Sequence, residues 1–293
     1  MLNRPKRNWL QYKGPFRKAS LFSIIVAAAM SLAIVSGSAG ASGGGAHWSY
    51  SGHDGPHNWG ALAKEYGLCS AGINQSPINI KTPLDSTLFE LNFNYGRVPL
   101  QIVNNGHTIQ INYSTISKNE ESIVEIDNKK YSLPSATTYH STVSISGERY
   151  KLLQIHFHSP SEHHVAGSPY SMEAHFVHAN SAGQLAVVGV LLKEGSHNKF
   201  ISTLWNNMPQ DADGVHVIEG VEVNASELLP RNKEYYHYRG SLTTPPCSEG
   251  VRWFVMRTPQ EVSSSQIALF LSIIRENARP IQGVNSRFLL KSK

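Results

Sequence analysis

Acidic residues are missing from the first 53 positions: no Asp or Glu precedes Asp54, whereas Arg4, Lys6, Arg7, Lys13, Arg17 and Lys18 crowd the amino terminus. The formal charge of +5 therefore belongs to this segment, because the remaining chain carries 20 Lys and Arg against 21 Asp and Glu. A nucleic-acid partner is not implied. Long hydrophobic runs are missing too. The apolar stretch from Leu21 to Val35 spans 15 residues, short of the roughly 20 that a membrane helix needs. With basic residues before it and Ala39-Gly40-Ala41 after it, the stretch reads as a secretory signal cleaved after Ala41. No cysteine follows it to take a lipid, and the carboxy terminus, Phe288 to Lys293, ends in polar residues. The expected organisation is a signal peptide over 1–41, a short Ser/Gly linker over 42–46 and one folded domain over 47–291. Secreted or periplasmic location follows, with no stable membrane insertion after cleavage.

Cysteine is nearly absent, with only Cys69 and Cys247. In an exported chain an even count points to one disulfide, and two buried free thiols are the alternative. No repeat is visible. At 40% hydrophobic and 16% charged residues the composition is that of a globular domain.

Helical periodicity is scarce. From about Leu88 onward, short alternating segments recur between turn signals: Leu100–Val103, then Asn104-Asn105-Gly106, then Thr108–Tyr113, and later Tyr150–His158, Met172–His178 and Leu185–Lys193. These predict strands and hairpins. Thr258-Pro259-Gln260-Glu261 has the form of a capping box with proline at the first helical position. Phe200, Ile201, Leu204 and Trp205 predict another short helix. The segment from His47 to Gly60 reads as an irregular arm. The fold class is mainly β (α+β): one large, mostly antiparallel central sheet with a few peripheral helices, in a single domain.

In Gln154-Ile155-His156-Phe157-His158, a strand would place both imidazoles and Gln154 on one face, with Ile155 and Phe157 opposite. In Met172–His178 the same alternation puts Glu173, His175 and Val177 on one face. If the two strands are neighbours, His175 supplies a third nitrogen beside His156 and His158. Three imidazoles with an open fourth position suit a catalytic zinc site, and neutral ligands leave the full charge of the ion to polarise water. A ligating histidine needs a partner on its other ring nitrogen. Gln154 and Glu173 stand two residues before His156 and His175, placed to be those partners. No H-E-x-x-H occurs, which disfavours a zinc peptidase.

The chain resembles the α-class carbonic anhydrases from about His47 to Leu290. The resemblance is carried by His47-Trp48-Ser49-Tyr50, Asn74-Gln75-Ser76-Pro77-Ile78-Asn79-Ile80, Asn104-Asn105-Gly106-His107, Gln154 to His158, Ser161-Glu162-His163, Glu173 to His178, and Gly240-Ser241-Leu242-Thr243-Thr244-Pro245-Pro246-Cys247. It implies reversible hydration of CO2 to bicarbonate by a Zn2+-bound hydroxide, in a family known for a zinc-bound water of pKa about 7. It also implies a Cys69–Cys247 disulfide and cis peptide bonds at Ser76-Pro77 and Pro245-Pro246. By the same resemblance Glu162 and Thr243 orient the nucleophile, His107 shuttles protons, and Val177, Val187, Leu242, Thr243, Thr244, Val251 and Trp253 form the substrate pocket. His163 and His178 are expected to be structural, buried and hydrogen-bonded, and most of the other histidines to be surface residues. CO2 and bicarbonate are the expected small-molecule partners, and a homodimer is left open. Ser159-Pro160 departs from the Trp-Gly of animal members, a difference found in bacterial-type members. The competing expectation is a catalytically silent relative, which would typically have lost a zinc histidine; this chain keeps all three.

Overall fold

The computed structural model describes residues 46–113, 122–126, 129–133, 141–212 and 214–293. The segment read as a signal peptide, 1–41, and the linker to Gly45 lie outside the described residues.

Thirteen described strands form one sheet. They are β1 (Leu84–Ser86), β2 (Leu91–Tyr95), β3 (Val98–Asn104), β4 (Ile109–Asn112), β5 (Ser141–Ile145), β6 (Glu148–His158), β7 (Met172–Ala179), β8 (Leu185–Glu194), β9 (Gly214–Val223), β10 (Tyr235–Ser241), β11 (Glu249–Met256), β12 (Gln260–Val262) and β13 (Leu290–Ser292). The order across the sheet is β9-β3-β4-β6-β7-β8-β11-β10-β13-β1, with β5 also on β6, β2 on β5 and β12 on β8. Pairing is antiparallel except at β8–β11, β8–β12 and β13–β1. Each segment predicted as a strand from alternation lies in one of these strands, except that Thr108–Tyr113 overruns Ile109–Asn112 by one residue at each end.

The middle of the sheet is covered on both faces. All eight residues of β7 are buried, as is β6 from Tyr150 onward. Ile155, Phe157, Ala174 and Phe176 pack into one cluster with Phe200, Ile201, Leu204 and Trp205 of α1 (Lys199–Trp205) and Phe270 of α2 (Ser264–Ile274). Leu153, Val177, Val187, Leu242 and Trp253 form a second cluster on the opposite face. Removing an interior aromatic such as Phe157 costs about 3–5 kcal/mol, because transfer and cavity terms add. The strands that carry His156, His158 and His175 are thereby held between two apolar layers.

The helix predicted around Phe200–Trp205 is α1, capped by Asn198 Oδ1, which accepts from the Ile201 amide at 3.1 Å. The expected helix start at Thr258 is not found. Gln260–Val262 instead pairs in parallel with Leu192–Glu194, and the helix begins later, where Ser263 and Gln266 form the capping box. A local signal worth about 1 kcal/mol yields there to a ladder of tertiary hydrogen bonds. The amino-terminal arm is irregular apart from short turns of helix, and Trp48, Trp59 and Tyr66 pack beside a Cys69–Cys247 disulfide. Ser76-Pro77 and Pro245-Pro246 are cis, as is Ser159-Pro160.

Candidate functional site

Strand register brings the histidines together. His175 on β7 pairs directly with His156 on β6, and Glu173 pairs with His158. Gly189 on β8 lies opposite His175. A Cβ at Gly189 would come within 2.8 Å of Glu173 Oε1, so a side chain there would displace the carboxylate.

The three rings are buried, and each outer nitrogen faces an acceptor. His156 Nδ1 is 2.8 Å from Gln154 Oε1, and His158 Nδ1 is 2.8 Å from the Asn277 carbonyl. His175 Nε2 stands 3.1 Å from Glu173 Oε1, off the line of an ideal hydrogen bond. Donation outward leaves the inner nitrogens, His156 Nε2, His158 Nε2 and His175 Nδ1, as lone-pair donors aimed at one another. His175 Nδ1 and His156 Nε2 are 3.3 Å apart, and one ligand atom from each ring can be chosen within 4.8 Å of the others. His158 Nε2 has no hydrogen-bond partner. Burial lowers the pKa of all three, and that of His158 to about 4. Three neutral imidazoles with converging lone pairs, two outer nitrogens hydrogen-bonded and the third beside a carboxylate, fit a tetrahedral cation such as Zn2+.

A second group, His163, Glu173 and His175, also has the spacing for a metal, but the polar atoms of His163 and Glu173 are already paired with one another and with Tyr238. His163 Nδ1 meets Glu173 Oε1 at 2.8 Å and Nε2 meets the Tyr238 hydroxyl at 2.6 Å. Burial by itself would raise the Glu173 carboxyl, yet the His163 and His175 rings outweigh it and hold the carboxyl well below its ordinary range. His178 is likewise buried and bonded to the Tyr95 hydroxyl at 2.7 Å. Of the histidines read as surface residues, His47, His53, His57, His197 and His216 are exposed, whereas His164 and His237 are half-buried and His140 lies outside the described residues.

Glu162 is buried beside the cluster, its Oε2 3.6 Å from His158 Nε2. Burial raises its pKa to about 7, opposed by His175, by the Arg279 amide, which donates to Oε1 at 2.9 Å, and by the Thr243 side chain. Oε2, facing the imidazoles, has no partner at hydrogen-bond geometry. A small, narrow pocket is lined by His156, His175, Val177, Val187, Leu242, Thr243, Thr244 and Trp253. Val251 belongs to the same buried cluster without lining the cavity. Larger open hollows elsewhere, one beside Arg97 and Glu222 and one beside Lys81 and Phe288, hold none of these histidines.

His107 lies at the mouth of the β3–β4 hairpin. Gly106 takes a φ of 82°, in the left-handed region that glycine adopts without strain. Asn105 Oδ1 accepts the His107 and Thr108 amides at 3.0 and 2.9 Å. The half-buried ring stacks on Trp48 with centroids 3.8 Å apart. Reading the sequence missed the carbonyl of Asn277 and the amide of Arg279. Both are main-chain groups from the coil after α2, and no residue type advertises them.

The arrangement is a three-histidine cluster with the spacing to hold a metal ion, set in the middle of a mixed β-sheet. The model of the eukaryotic-type carbonic anhydrase family matches residues 54–293. A carbonic anhydrase of Neisseria gonorrhoeae is 39% identical over 90% of this chain and 95% of its own length, and one of Klebsiella pneumoniae is 40% identical over 84% and 91%. The solved structure of the α-carbonic anhydrase of Thermovibrio ammonificans with the inhibitor sulfanilamide matches at a TM-score of 0.73 and 39% identity, covering 85% of this chain and all of that one. The chain belongs to the α-carbonic anhydrase family, whose reaction is the reversible hydration of CO2.

Proposed function

We propose that this protein is an exported, zinc-dependent carbonic anhydrase whose metal is held by His156, His158 and His175. The observation that carries this reading is the trio of buried, neutral imidazoles whose inner nitrogens converge while their outer nitrogens face acceptors. Bound there, Zn2+ supplies the Lewis acidity that makes water a nucleophile near neutral pH.

The other roles belong to the chain. Gln154, Glu173 and the Asn277 carbonyl keep the outer ring protons in place and fix each ring's direction. A cation held by the imidazoles would favour the ionised form of Glu162. That carboxylate can only accept, so it accepts the hydrogen bond of the Thr243 hydroxyl and leaves the Thr243 oxygen to accept from the attacking water. Val177, Val187, Leu242 and Trp253, with Val251 in the same cluster and Thr244 at the wall, seat uncharged CO2 by excluding water. His107 carries the released proton. A group of pKa about 7 cannot shed protons to bulk water faster than about 10³ s⁻¹ when recombination is limited by diffusion, whereas this family's turnover reaches about 10⁶ s⁻¹. An imidazole of ordinary pKa about 6.5 bridges that gap.

The disulfide supports export into an oxidising compartment, in keeping with residues 1–41 as a removable signal and 47–291 as the catalytic domain. No helix among the described residues is long and apolar enough to cross a membrane. Stopped-flow CO2 hydration on residues 42–293 tests the reading. One zinc per chain is expected, with activity lost on chelation and regained on adding zinc, and full activity without metal would overturn it. His107→Ala is expected to lower kcat at least tenfold at low buffer, leave kcat/KM nearly unchanged and recover with imidazole.

A further inference from the structure

The proton carrier proposed above is fixed at its main chain by a residue far away in sequence. Asn277 is 1% exposed and lies in the coil that leaves α2 through Arg275, whose φ of 64° turns the chain inward. Its amide donates to the Ser159 carbonyl at 3.1 Å, and its own carbonyl faces His158 Nδ1 at 2.8 Å. Its side chain does something else. Nδ2 donates to the His107 carbonyl at 3.0 Å and to the Phe157 carbonyl at 2.9 Å, while Oδ1 accepts the Ser159 amide at 2.8 Å.

We infer that Asn277 is a positioning residue for the proton carrier: apart from its main-chain contact to His158 described above, its carboxamide clamps the His107 turn to the strand that carries His156 and His158. Asn105 holds the His107 amide from one side and Asn277 holds the carbonyl from the other. The His107 backbone is therefore fixed at both polar groups, and only the side-chain torsions remain to swing the imidazole. A proton relay through water tolerates little drift of its end point. Asparagine suits the chemistry of the pocket: the His107 carbonyl takes one N–H, the Phe157 carbonyl, which the Thr108 hydroxyl also reaches, takes the other, and the Ser159 amide takes an acceptor, and a carboxamide offers both. Aspartate has nearly the same shape but would set a carboxylate oxygen against the carbonyls of His107 and Phe157. Loss of this clamp should loosen the His107 turn while leaving the Asn277 carbonyl on His158.

This inference rests on His107 as the proton carrier, so the experiment includes His107→Ala. Asn277→Asp and Asn277→Ser are compared with the parent zinc enzyme by stopped flow at low and high imidazole. The serine variant removes both Nδ2 bonds without adding charge, should the aspartate variant fail to fold. The expected result is a fall in kcat of at least fivefold at low buffer, a change in kcat/KM under twofold, recovery with imidazole, and no added loss in the His107→Ala background. In the metal-free protein, exchange of the His107 and Thr108 amides with solvent should speed at least tenfold, with core amides such as Val188 unchanged. Zinc release to a chelator should stay within about twofold of the parent. If His107→Ala is impaired and rescued but both Asn277 variants match the parent, the clamp is wrong and the shuttle reading stands. Equal losses in kcat and kcat/KM without rescue, with zinc released tenfold faster, would make the carboxamide part of the metal site and overturn the clamp. A His107→Ala enzyme equal to the parent would overturn the shuttle reading and the clamp together.

Discussion

Two buried histidine groups overlap in this protein, and they differ in what their nitrogens lack. In His156, His158 and His175 the outer nitrogens face acceptors and the inner ones point at each other. In the His163–Glu173–Tyr238 group, the neighbouring polar atoms complete one another: Glu173 takes the His163 amide and ring, and Tyr238 takes the other ring nitrogen and the Ser76 hydroxyl. His156, His158 and His175 have the spacing of a metal site, and so do His163 and Glu173 taken with His175. Buried polar atoms without partners are costly, so converging lone pairs mark a place built for a cation, whereas a closed hydrogen-bond chain marks scaffold.

Removing one member from each group puts this contrast under the greatest strain. His156→Ala, His158→Ala or His175→Ala should lower hydration by about three orders of magnitude or more and reduce zinc below one per chain by elemental analysis, because each deletes one of the three protein ligands of an open site. Tyr238→Phe should do the opposite. It leaves His163 Nε2 and the Ser76 hydroxyl short of a partner and is expected to cost about 1–3 kcal/mol in urea unfolding while one zinc per chain is retained. Zinc loss in Tyr238→Phe would show that the two groups are one functional unit.

A partner that orients a ligand should fall between these extremes. Gln154→Ala removes the acceptor on His156 Nδ1 and should weaken zinc binding about 10–100-fold, read by competition with a chelator, with the fold intact. An unchanged affinity would detach Gln154 from the metal group.

The smallest effect concerns His178, a closed-chain histidine outside both groups. Burial pushes its pKa to about 3, whereas the unfolded chain binds the proton near the ordinary value of about 6.5. The unfolded state therefore takes up the proton first, and stability falls as pH drops from about 6.5 toward 3. In the metal-free protein, His178→Gln should narrow the difference in unfolding free energy between pH 7 and pH 4.5 by about 2 kcal/mol. No narrowing would mean that His178 is not held neutral.

Much of this site is legible in the sequence because strands alternate. Period two alone places Gln154, His156 and His158 on one face, and Glu173 and His175 on another. Gln154 and Glu173 also stand two residues before the histidines they face, so short-range pattern suffices for those pairs. Family resemblance added Glu162, Thr243 and His107, which lie in loops or at a hairpin where no period operates. The expected helix at Thr258 failed for the complementary reason: a good local signal has no knowledge of the strand waiting beside it.

The alternation that pairs the imidazoles, the basic-apolar leader pattern and the two cysteines available for one bridge are all properties of the sequence alone. That β6 and β7 are neighbours, in the register that sets His175 against His156, is a property of the folded chain. So is the meeting of the third outer nitrogen with the carbonyl of Asn277, 119 positions from His158, and the hold of the Arg279 amide on Glu162, 117 positions away. Every residue but proline carries that same amide and every residue that carbonyl, so the sequence holds no mark of which ones will be used. Packing makes the choice, by fixing where the coil after α2 passes beneath the strands.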